Sequence, residues 1–149
     1  MSKTCALPRK AFPVKFRVRS PRHALELARD LIRPINNWTT GELARMRDPE
    51  DPECFPSVQV KSPKAVAFCA LGALQRVNTR HQKRAQEFLE RAAAAVFRPE
   101  DSPRDLENFP PSETDIFDVN DELDHYNVLR MFRRAITLAK RAERPRKRA

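Results

Sequence analysis

Glycine is nearly missing from this chain of 149 residues: only Gly41 and Gly72 occur, against 13 prolines. Two glycines so far apart cannot build the loop that cradles a nucleotide phosphate, so nucleotide-driven chemistry has no motif to rest on. Histidine is scarce as well. His23, His81 and His125 are widely separated, and no Cys-x-x-Cys or His-x-x-x-His spacing occurs, so neither a metal site nor any other cofactor is expected. Three cysteines, Cys5, Cys54 and Cys69, form an odd and unpatterned set, which excludes a disulfide framework. No run of residues approaches the roughly 18 apolar positions that a membrane span requires. The opening "MSKTCALPRKAF" is positively charged but lacks the apolar centre of a secretory signal. The expectation from these absences is a cytoplasmic protein without membrane contact.

What is abundant is positive charge, with a formal net value of +9. Residues 1–19 hold Lys3, Arg9, Lys10, Lys15, Arg17 and Arg19 and no acid. Residues 140–149 hold Lys140, Arg141, Arg144, Arg146, Lys147 and Arg148 against Glu143 alone. The two ends carry +6 and +5, so the body between them is slightly acidic, at −2. Basic ends of this kind attract polyanions, whether nucleic acid or an acidic protein surface.

Along the body, apolar periodicity marks out the elements. "AFPVKFRVR" alternates, with Phe12, Val14, Phe16 and Val18 on one side. That period of two predicts a half-buried strand over 12–18, at a sheet edge because Pro13 has no N–H to give. "SPRHALELARDLIRP" predicts a helix capped by Ser20, opened by Pro21 and stopped by Pro34, with Leu25, Ala28, Leu31 and Ile32 as its stripe. "NNWTTGELARM" reads as a short helix opened by Thr39, or as a strand pairing with Ser57–Val60. Thr, Trp and Gly41 favour the hairpin. "SPKAVAFCALGALQRV" reads as a central helix over 63–77, apolar all round, capped by Ser62 and ended by Asn78. A third helix covers about 80–97. "RPEDSPRDLENFPPSETD" reads as a long acidic loop, and a last helix runs from about 124 to 141 with Val128, Leu129, Phe132, Ala135, Ile136 and Ala139 inward. The expected fold is therefore mainly α. About four helices surround a central helix rich in small residues, with a small antiparallel β element from 12–18 and a hairpin near 38–60. Residues 10–142 form one domain between basic tails, 1–9 and a disordered 143–149.

Cys69 is the one thiol placed inside an apolar run. With Pro63 opening the helix it lies about two turns in, beyond the thiol-activating field of a helix end. Gly72 costs about 1 kcal/mol in a helix interior relative to alanine. Close approach of a neighbouring helix backbone along Ala65, Cys69, Gly72 and Ala73 would offset that. The other polar cluster is "DVNDELDHY", where Asn120, Asp121 and Asp124 are candidate N-caps of the last helix. A catalytic reading would join Cys69 to His125, with Asp121 or Asn120 orienting the imidazole, as in thiol hydrolases and transferases.

"ALELARDLI", Trp38 followed by "GELAR", "AVAFCALGAL", and Asn120–Asp121 ahead of "NVLRMFRRAI" occur in that order over about residues 24–139. In these the chain resembles a family of small bacterial and phage-associated proteins of unknown function. Its members share an Ala-x-x-Phe/Trp-Cys-x-x-Gly-Ala-Leu helix and a late aromatic-Asn-Asp motif. Val119 departs from the pattern, which prefers an aromatic there. The resemblance implies a compact, mainly helical domain with Trp38, Cys69, Gly72, Asn120 and Asp121 as signature positions, and it implies no activity.

The leading functional expectation is a non-enzymatic accessory protein of a bacterium or phage. It would bind a nucleic acid or an acidic protein through Lys15, Arg17, Arg19, Arg144, Arg146, Lys147 and Arg148. The alternatives are the Cys69–His125 enzyme and a homodimer that pairs through strand 12–18.

Overall fold

The computed structural model describes residues 12–77 and 80–145. Among the described residues there are six helices and one two-stranded sheet: α1 (Pro21–Ile32), β1 (Ala44–Met46), β2 (Ala65–Phe68), α2 (Ala70–Val77), α3 (Gln82–Phe97), α4 (Pro103–Asn108), α5 (Glu113–Glu122) and α6 (His125–Glu143). A 3₁₀ turn, Ile35–Asn37, links α1 to the sheet region. The protein is mainly α, as its periodicity predicts.

Local chemistry accounts for the helix starts. Ser20 Oγ accepts the His23 N–H at 3.0 Å while Pro21 occupies the first turn of α1. Asp124 Oδ1 accepts the Asn127 N–H at 2.9 Å and opens α6. The stripe of Ala24, Leu25, Ala28, Leu31 and Ile32 on α1 is buried, as are Val128, Met131, Phe132, Ala135, Ile136 and Ala139 on α6. α3 packs chiefly against α6 and α5, and α1 against α2 and α6. Leu25, Leu74, Leu89, Ile116 and Phe132 are among the side chains enclosed where these faces meet.

Four expectations need correction. Residues 12–18 form no strand. Phe12, Phe16 and Val18 do turn toward the core, but Val14 is exposed. The carbonyls of Phe12 and Pro13 accept hydrogen bonds from Arg76 instead of joining a ladder. Within the described residues the segment has no ladder partner.

Second, the 63–77 segment is a strand joined directly to a helix. Ser62 Oγ accepts the Lys64 N–H at 3.1 Å and the Ser62 carbonyl accepts the Ala65 N–H at 3.2 Å, so the Ser-Pro signal opens a turn. β2 then pairs antiparallel with β1, Ala44 opposite Phe68 and Arg45 opposite Ala67, with a bulge before Met46 opposite Ala65. The expected end at Asn78 lies outside the described residues.

Third, the 38–60 hairpin is present only in part. Val58 donates to the Ala44 carbonyl (3.1 Å) and Met46 to the Pro56 carbonyl (2.9 Å), which makes one bridge between Arg45 and Ser57. The ladder partner of β1 is β2.

Fourth, the acidic segment holds α4 and α5, giving six helices where about four are expected. In α4 the Ser102 hydroxyl accepts the Asp105 N–H (3.2 Å) while the Asp105 carboxylate accepts the Ser102 N–H (2.8 Å). Asp115 likewise accepts the Ser112 N–H, at 3.0 Å, to open α5. Arg98, at the end of α3, is 3.0 Å from the nearly buried Asp115 carboxylate and 2.9 Å from Asp101, and it donates to the Phe109 carbonyl. One guanidinium thus ties α3 to the start of α5. Among the described residues, no helix is long and apolar enough to cross a membrane.

Candidate functional site

Trp38, Cys69, Gly72, Asn120 and Asp121, the positions singled out by the resemblance, meet where the 3₁₀ turn, the β2–α2 joint and the end of α5 converge. Asn120 is fully enclosed. Its Oδ1 accepts both the Trp38 Nε1–H (2.8 Å) and the Ala70 backbone N–H (2.9 Å). Its Nδ2 donates to the Thr39 carbonyl (3.1 Å) and to Asp121 Oδ1 (2.8 Å). Asp121 Oδ1 also takes the N–H of Gly41, whose φ of +78° lies in the left-handed region. Two acceptor positions and two donors of one amide are thereby used, which is full satisfaction for a buried asparagine. Neither Asn120 nor Asp121 caps α6. Both lie in α5, and Asp124 does the capping.

Cys69 stands immediately before α2, and its Sγ accepts the Gly72 N–H at 3.3 Å. The sulfur therefore takes the place a Ser or Asp oxygen takes at many helix starts. Its own N–H donates to the Leu43 carbonyl (3.1 Å). A Cβ on Gly72 would lie 1.8 Å from that same carbonyl oxygen. The close approach that Gly72 permits is therefore to the backbone leading into β1, and not to another helix.

The thiol sits at the helix start, not two turns in, and a helix start is where reactive thiolates are stabilised. Burial decides the outcome here. It pushes the thiol pKa from an ordinary 9.0 up to about 11, against the downward pull of the Gly72 and Leu71 N–H groups and with a further upward push from Asp121. His125 is engaged elsewhere: its Nε2–H donates to the Ile32 carbonyl (2.8 Å) and its ring lies 5.3 Å from the Trp38 ring. Among the described residues no hydrogen bond joins Cys69 to His125.

Iodoacetamide at pH 8 should therefore label exposed Cys54 quickly and leave Cys69 unmodified until the protein unfolds, as read by peptide mapping. The raised pKa also has a sign in stability. The folded state holds the Cys69 proton more tightly than the unfolded state, so this contribution is complete below pH 9 and is lost as pH rises from about 9 to about 11. The loss amounts to about 3 kcal/mol. A Cys69→Ala variant should lack that part of the alkaline decline when urea melts are compared across the same window.

A second arrangement is electrostatic. On α6 the outward residues Arg130, Arg133, Arg134, Lys140 and Arg141 are exposed, and the helix holds no acid before Glu143. Arg130, Arg133, Arg134, Thr137, Leu138 and Arg141 line a groove of about 390 Å³. Among the described residues none of these cations forms a salt bridge, whereas Arg22 pairs with Glu143 at 3.3 Å. The spacing 130, 134, 137, 141, 144 follows one helix face. The averaged charge of the body conceals this face, because the acids of 100–124 cancel it in the sum. Of the residues expected to meet a polyanion, Lys15, Arg17, Arg19 and Arg144 are exposed. Arg146, Lys147 and Arg148 lie outside the described residues, as does the 1–9 tail. Glu143, assigned from the sequence to the tail, is the last residue of α6. Among the described residues, no group of three His, Cys, Asp or Glu side chains could hold a metal ion.

The chain belongs to a family of unknown function, DUF6197, which it matches over residues 17–138. No curated protein and no solved structure matches it.

Proposed function

We propose, from membership of a family whose activity is open, that the chain is a non-enzymatic accessory protein of a bacterium or phage. It works in the cytoplasm and binds nucleic acid through the outward face of α6 and the basic ends. The observation that carries this reading is the row of α6 cations that have no acidic partner among the described residues. Arg130 and Arg144 are fourteen residues apart, which in a helix is about 21 Å. That length spans about six phosphates of one strand at their spacing along a duplex. Arginine suits the task, since its planar donors match phosphate oxygens and keep their charge at any physiological pH.

The salt dependence of binding to a short DNA duplex tests the proposal. The triple variant Arg130→Gln, Arg134→Gln, Arg141→Gln should weaken binding by about tenfold or more at low salt. It should also flatten the plot of log affinity against log salt by about two to three charges. Arg104→Gln on α4, amid acids, should bind as the unaltered chain does. Affinity indifferent to salt, or a triple variant that binds normally, would remove the nucleic-acid reading. Binding to polyglutamate but not to DNA would replace it with an acidic protein partner.

A further inference from the structure

A different part of the surface, at the far end of α2, gathers positive charge around a cavity. Arg76 is fully enclosed, yet among the described residues no carboxylate pairs with it. Among the described residues its guanidinium donates to backbone carbonyls: Phe12 and Pro13 at 3.0 Å, Val60 at 2.7 Å, and Ser62. The ring of Phe68 lies 5.4 Å from its central carbon. Carbonyls satisfy the donors but leave the charge itself without an opposite, whereas a buried arginine normally has a carboxylate partner. Lys61 stands beside it, its ammonium donating to the Arg76 carbonyl at 2.8 Å. Desolvation and then the charge of Arg76 hold the Lys61 pKa below its ordinary value.

Lys61, though not the enclosed Arg76, lines a cleft of about 470 Å³, inside the size range of small-molecule sites. Lys15, Lys61 and Arg80 line it together with the apolar Val14, Phe16, Val18 and Val77, and among the described residues its lining holds no acid. We infer that this cleft binds a small anionic ligand with an apolar body: a carboxylate or phosphate head among Lys15, Lys61 and Arg80, and hydrocarbon against Val14, Phe16 and Val77. Such a ligand sets a negative charge against Lys61, which has no acidic partner among the described residues.

The test is a titration of the full chain with sodium decanoate below its micelle concentration, followed by calorimetry and by amide NMR shifts. One molecule should bind per chain, with shifts centred on residues 14–18, 61, 77 and 80. Decanol, which has the same body without charge, should bind about tenfold more weakly, and so should the variants Lys15→Glu and Arg80→Glu. Both altered residues are exposed, so melting curves of the variants should match those of the parent. Arg134→Gln, on α6, should leave decanoate affinity unchanged and so separates this site from the nucleic-acid face. Equal affinity for decanol, unchanged affinity in both cleft variants, or the absence of saturable binding would overturn the inference.

Discussion

Gly72→Ala should destabilise the protein by about 3 kcal/mol, although alanine is the better helix former by about 1 kcal/mol. The backbone at Gly72 is ordinary, since Gly41 alone among the described residues has a positive φ. What forbids a side chain is space: a Cβ would stand 1.8 Å from the Leu43 oxygen, 2.7 Å from its carbonyl carbon and 3.1 Å from its Cα. Those atoms are backbone and have no rotamer by which to retreat. Moving them would stretch the Cys69 N–H bond to the Leu43 carbonyl and disturb β1, whose Ala44 pairs with Phe68. A buried donor left unpaired adds about 1 to 3 kcal/mol to the overpacking. In a thermal melt the midpoint should fall by about 10 °C for a chain of this size. A midpoint that stays level or rises, as helix propensity alone would give, would show that the Leu43 backbone does not require this glycine.

Asn120→Leu should cost about 4 kcal/mol. The new side chain is of similar size but leaves the Trp38 indole N–H, the Ala70 N–H and the Thr39 carbonyl without partners in a closed space, at about 1 to 3 kcal/mol each before any relaxation. Asn120→Asp separates hydrogen bonding from charge. It keeps an oxygen for Trp38 and Ala70, but it sets a second carboxylate against Asp121, whose Oδ1 now lies 2.8 Å from the Asn120 amide. Burial and the like charge would both raise the pKa of that new carboxyl. Its protonated form is then the one the fold accommodates, so the variant's deficit should be smaller at pH 4 than at pH 7, each measured against the parent at the same pH. Denaturant melts at the two pH values would decide. A deficit that does not change with pH would mean that the site is open to water.

Much of this architecture was legible in the amino-acid order, and the parts that were not share a physical cause. α1, α3 and α6 announce themselves because each has a polar face, and the apolar stripe then shows the helical period. Residues 65–77 are buried nearly all round, so a strand followed by a helix carries no contrast from which a period could be read. The junction between them is also unmarked, because Cys69 performs the capping that Ser or Asp usually signals. α4 and α5 were hidden by their acidity. Their starts were nonetheless written in "SPRD" and "SETD", where a serine is followed three residues later by the aspartate that completes a reciprocal cap. The alternation of 12–18 placed Phe12, Phe16 and Val18 correctly on the inward side. It could not show that the partner of this backbone is a guanidinium from α2. At the Asn120 knot, composition and periodicity gave no reason to bring residue 38 to residue 120. Only the resemblance set Trp38, Cys69, Gly72, Asn120 and Asp121 side by side. The α6 charge face was available from spacing, but a summed charge conceals any arrangement in which opposite signs occupy different faces.

The chain's lone tryptophan hangs from the N-terminal half by its backbone and from α5 by its indole, with an imidazole of α6 beside it. Its light emission is therefore a built-in gauge of whether those distant stretches remain docked. Any loosening of that junction, by solvent, temperature or substitution, would register optically with no added dye.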